Sequence, residues 1–136
     1  MDKIGLRDLR IDNWIYHKDC PIPLQVSGFN GNEVYLKHSF EHNRTVGFVR
    51  QDRPSACSID DIRSVPLSEE ILIKNGFPED ACDGRFPEDT YGLLYMAISY
   101  DNRIFFDCND FRIEIKYVHQ LQNILRDFEI EKEISI

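Results

Sequence analysis

Cysteine is sparse in this sequence and never closely paired. Cys20, Cys57, Cys82 and Cys108 are the four, and no Cys-x-x-Cys occurs. Zinc sites draw their ligands in close pairs, and small secreted scaffolds carry cysteine far more densely. The spacing predicts free thiols. No apolar run approaches the roughly 20 residues that span a bilayer. Met1-Asp2-Lys3-Ile4-Gly5 lacks the basic-then-apolar order of an export signal. The expectation is a soluble, cytoplasmic protein with no membrane partner.

Catalytic grammar is missing as well. There is no Gly-x-Ser-x-Gly elbow, no phosphate-binding glycine loop and no Gly-x-Gly-x-x-Gly. Carboxylates are plentiful at Asp60-Asp61, Glu69-Glu70 and Glu79-Asp80, but acid–base chemistry needs two carboxylates in unlike environments of one cleft. His38 and His42 have the i, i+4 spacing of a helical metal site. They lack the glutamate after the first histidine, fall in a polar loop and have no third ligand nearby. His17 stands alone, and His119 beside an apolar stripe reads as a helix-surface or partly packed residue. These absences argue against an enzyme and against a metal or cofactor.

Positive charge is in short supply. The chain carries 16 Lys/Arg against 24 Asp/Glu, a net charge of −8. Residues 1–65 hold nine of each sign, so the whole excess lies in residues 66–136, with seven basic and fifteen acidic residues. Nucleic-acid affinity comes mainly from Lys/Arg on phosphates, so any such binding belongs to the neutral first half. The acidic half reads first as a solvated, solubilising face, and second as a recognition surface.

What is present is enough for a core. At 136 residues, 42% hydrophobic and 12% aromatic, the chain fits one ordinary domain or two very small ones. The first half reads as short strands. Asn13–His17 is rich in β-formers, and Cys20-Pro21-Ile22-Pro23 breaks it. Leu24–Phe29 alternates, Asn30-Gly31-Asn32 turns, and Glu33–Lys37 returns. Arg44–Val49 predicts a fourth strand, and Cys57–Ile62 a short strand or single turn. Such a set suggests a small SH3-like β-barrel or a curled antiparallel sheet.

Val65–Phe77 has the strongest local pattern. Ser68 is placed as an N-cap, Glu69, Glu70 and Lys74 complement the helix dipole, and Gly76 is placed to stop the helix. Pro78–Asp89 reads as an acidic loop. Tyr91–Tyr100, Arg103–Asp107 and Phe111–Lys116 predict a three-stranded meander. Val118, Leu121, Ile124, Leu125 and Phe128 share one face of a closing helix over Tyr117–Phe128. Glu129–Ile136 reads as a frayed tail or an added strand. The expected fold is α+β, in halves 1–66 and 67–136 packed as one compact unit.

The aromatics are the best candidates for binding. Trp14, Tyr16, Phe29 and Tyr35 cluster if the first sheet curls, and Arg44, Arg50 and Arg53 lie near a loop that can add charge. The candidate surface is therefore Trp14, Tyr16, Tyr35, Arg44, Arg50 and Arg53. The plainer expectation puts Trp14 and Phe29 in the core of a small barrel.

Three segments stand in a recognisable order: Asp8–Tyr16, Val65–Phe77 and Ile115–Asn123. In this the chain resembles a family of small uncharacterised proteins common in Bacteroides and relatives, often in prophage-like or mobile regions. The resemblance brings no activity and no site residue. The family has glycine where Asp12 stands, and its last helix continues past Asn123 with a different ending. The reading that follows is a non-enzymatic protein-interaction module of phage or mobile-element type, with a nucleic-acid-associated SH3-like module as the alternative.

Overall fold

A computed structural model of the chain describes residues 3–37, 55–77, 84–85, 94–98, 101–108 and 111–136. The backbone divides into two units, Met1–Val65 and Pro66–Ile136. The fold is α+β.

The first unit is a five-stranded antiparallel sheet of β1 (Trp14–His17), β2 (Leu24–Asn30), β3 (Glu33–Leu36), β4 (Ser55–Ser58) and β5 (Ile62–Ser64), in the order β4-β3-β2-β1-β5. The β2–β3 turn is as tight as the sequence predicts. Asn30 pairs with Glu33, which leaves Gly31 and Asn32 as the loop. Gly31 has a φ of 59°, the position where a two-residue hairpin favours glycine. β2 serves two neighbours. Leu24 and Gln25 pair with β1, whereas Val26 to Asn30 pair with β3. The register slips between Val26 and Gly28, and such a bulge bends the strand and increases its twist. After β4, a 3-10 turn over Ile59–Asp61 reverses the chain, and Ser58 Oγ caps it by accepting from Asp60 N at 3.3 Å. β5 then returns to the far side of β1, with Ile15 opposite Ser64 and Tyr16 opposite Arg63.

Alternation fills one face. Ile15, Leu24, Val26, Val34, Leu36 and Ile62 are buried together with Ile4, Leu9 and Cys20. Each fully buried aliphatic side chain contributes about 1.5–3 kcal/mol. Asn13 is also fully buried, and its Oδ1 accepts from Arg10 N at 2.8 Å, which meets the requirement that a dry polar group be bonded.

Two expectations for this unit need correction. Of the barrel and the curled antiparallel sheet expected, the described residues form an antiparallel sheet and no closed barrel: β4 pairs with β3 and β5 with β1, so these two strands are opposite ends of the order. Trp14 and Phe29 are not part of the core cluster. The predicted strand Arg44–Val49 lies outside the described residues.

The second unit opens with α1 (Glu69–Lys74). Ser68 Oγ accepts from Ile71 N at 3.3 Å, and Gly76 takes a φ of 87° just past the helix. A four-stranded antiparallel sheet follows, made of β6 (Gly84–Arg85), β7 (Leu94–Ile98), β8 (Ile104–Cys108) and β9 (Phe111–Ile115) in that order. The expected meander is thus β7-β8-β9, and the sequence missed β6, a two-residue strand inside a segment read as loop. On β8 and β9, Ile104, Phe106 and Ile115 are buried, whereas Arg112 and Arg103, just before β8, are exposed. α2 (Val118–Asp127) begins where Gln120 Oε1 accepts from Lys116 N at 2.9 Å and Tyr117 N at 3.2 Å, half of a capping box. Val118, Leu121 and Leu125 form its buried face, and Phe128 meets Phe106 with ring centres 5.2 Å apart. The last residues form neither strand nor helix, and Ile130 and Ile134 are buried. No helix among the described residues is long and apolar enough to cross a membrane.

Candidate functional site

β1 sorts its four residues strictly by parity. Ile15 and His17 face inward, and His17 Nδ1 accepts from Asp19 N at 3.0 Å. Trp14 and Tyr16 are half-buried and lie on the opposite face of the sheet. Cross-strand pairing then fixes their neighbours. Tyr16 stands opposite Arg63 on β5, and Trp14 opposite Gln25 on β2. Arg63 is held by the backbone just before it: Nη1 donates to Asp60 O at 2.5 Å and to Ile62 O at 2.9 Å. Gln25 Nε2 donates to Asp12 O at 3.0 Å.

Tyr35 shares this outer face two strands away, paired with Gly28 on one side and Ala56 on the other. A Cβ at Gly28 would lie 3.6 Å from Tyr35 Cδ2, so the ring lies beside the glycine, an arrangement that shields exposed backbone. Asn30 Nδ2 donates to the Tyr35 hydroxyl at 3.4 Å. Phe29 pairs with Val34 beyond the bulge and is 36% exposed.

Of the six residues expected to form a binding surface, Trp14, Tyr16 and Tyr35 occupy one face of the sheet. Arg44, Arg50 and Arg53 lie outside the described residues. The basic residue placed beside the aromatics is Arg63, which the sequence reading missed. The sequence carries little signal for it: Ile62-Arg63-Ser64 alternates buried, half-buried, buried in the structure, but so short a strand, with a polar residue at its second buried position, gives periodicity little to act on.

Other chemistry is limited. Cys20 and Cys57 are free thiols. Burial pushes the Cys57 thiol up, and the negative charge of Asp61 adds to the effect. A thiol so placed stays protonated at neutral pH and is a poor nucleophile. Cys82 and the side chain of Cys108 lie outside the described residues, as do His38 and His42. Among the described residues, no three His, Cys, Asp or Glu side chains gather as metal ligands would. His119 is buried and stacks on Tyr117 at 5.7 Å, more fully packed than the helix-surface or partly packed position expected. In the second unit, an open depression of about 460 Å³ is lined by Leu67, Ser68, Glu69, Glu70, Asn102 and Ile104. Ser68, one of its polar groups, is already engaged as the cap of α1.

Compared with known proteins, the chain matches no family model, no curated protein and no solved structure.

Proposed function

We propose that this chain is a non-enzymatic intracellular protein-interaction module whose first unit is SH3-like and binds through the outer face of its sheet. The observation that carries the reading is the placement of Trp14 and Tyr16 opposite the core, with Arg63 directly across from Tyr16. Tryptophan, tyrosine and arginine are the residue types that dominate binding energy at protein interfaces. The strand order, the β2 shared between two neighbours and the 3-10 turn before β5 support the SH3-like assignment. The resemblance to proteins of prophage-like and mobile regions fits a partner from host or phage.

The test is capture from host lysate by the tagged chain, with and without nuclease, alongside a Trp14→Ala/Tyr16→Ala variant of unchanged circular dichroism. A protein partner that survives nuclease and is lost with the variant is the expected result. Capture of nucleic acid, with protein lost on digestion, would replace this reading with a nucleic-acid-associated module. Capture indifferent to the variant would remove this face from the account.

A further inference from the structure

Residues 129–136 form no regular element, yet they are held at several points. Glu129, with a φ of 58°, turns the chain away from α2, and Ile130 N donates to Leu125 O at 2.8 Å. Lys132 Nζ lies 5.4 Å from the centre of the Phe77 ring. Ile130 and Ile134, four positions apart, are buried.

The deciding contact is made by Asn75 at the end of α1. Its Nδ2 donates to Ser135 O at 2.7 Å, and its Oδ1 accepts from Ser135 N at 2.8 Å. The other Nδ2 proton goes to Ile71 O at 2.7 Å, which fixes the amide on the helix. One side chain thus satisfies both backbone groups of one residue, the service a neighbouring strand performs in peptide recognition. Bonds of this kind ignore side-chain identity. Selection falls to the two isoleucines.

We propose that the surface around Asn75 and Phe77 is a peptide-binding site, filled here by the chain's own C-terminal segment as a tethered competitor. Its ligand class is a peptide with aliphatic residues four apart, followed by a residue whose backbone reaches Asn75. The site lies in the second unit and does not depend on the function proposed for the first. Tethering places the tail at an effective concentration in the millimolar range, so the intact chain takes up a free peptide weakly. Loosening the tail opens the site.

The experiment uses the full-length chain carrying Ile130→Ser and Ile134→Ser, with its fold checked by circular dichroism. The probe is a fluorescein-labelled peptide with the sequence of residues 129–136, read by anisotropy. The double variant is expected to bind the peptide saturably, at least tenfold more tightly than the parent chain, and to lose at least tenfold on adding Asn75→Ala. A folded double variant that ignores the peptide, or binds it equally well without Asn75, overturns the proposal. So does a double variant that fails to fold, because the tail is then a structural part of the core. In the parent chain, Asn75→Ala is expected to speed hydrogen exchange of the Ser135 amide at least tenfold. An unprotected Ser135 amide in the parent also overturns the proposal.

Discussion

Asp12 holds a φ of 74°, a region that L side chains enter at a cost and that Asp tolerates better than most. It is the third residue of a turn closed by Asn13 N donating to Arg10 O at 3.2 Å. Its carboxylate pairs with Lys37 in an exposed contact of the kind worth about 0–1 kcal/mol. Glycine is the residue that such a backbone favours. Asp12→Gly is therefore expected to stay within about 1 kcal/mol of the parent in urea unfolding, whereas Asp12→Val loses about 1–3 kcal/mol to backbone strain. Equal losses would place the turn elsewhere in conformational space. Across β8 and β9, Glu114 accepts from Arg103 Nε at 3.1 Å and Nη2 at 2.9 Å. The bond from Arg103 holds the Glu114 carboxyl below the ordinary glutamate value. A carboxyl lowered in the folded state adds stability that is complete above its unfolded pKa and is lost as pH falls through the folded value. Carboxyl NMR titration should give Glu114 a midpoint below that of a free glutamate, and Arg103→Gln should return it to the ordinary range.

At the scale of elements, α1 shows how a six-residue helix persists. A segment this short does not stand alone in water, so it relies on its ends and on Leu72, which is 1% exposed. The Ser68 cap is expected to contribute about 1 kcal/mol. Ser68→Ala should lower the urea midpoint accordingly, and Ser68→Asp should retain it; equal losses in both would show that the cap oxygen contributes nothing. The same helix was legible in the sequence because caps are local chemistry: Ser68, Glu69, Lys74 and Gly76 all act within one turn of their own position. The β2–β3 hairpin was legible for the same reason, through Gly31. β1 was harder. Trp14, Ile15, Tyr16 and His17 put a large side chain on both faces, so alternation identifies a strand without saying which face is inside. The partners decide it, and they come from β2 and β5. The tail was illegible because its anchor, Asn75, lies 60 positions from Ser135.

At the scale of the molecule, charge and structure divide at the same place. The acidic excess belongs to residues 66–136, and the backbone separates into its two units between Val65 and Pro66. The aromatic face proposed for binding sits in the neutral unit, where no net charge opposes an approaching partner of either sign. The peptide seat sits in the acidic one. The return of β5 to the side of β1 also bears on how the protein is made. Ile15 meets Ser64 about fifty residues later in the chain, and contacts so distant in sequence form late and slowly. On the ribosome, β2 and β3 can zip together soon after they emerge. β1 must wait, with one edge unpaired, until the fifth strand has left the exit tunnel.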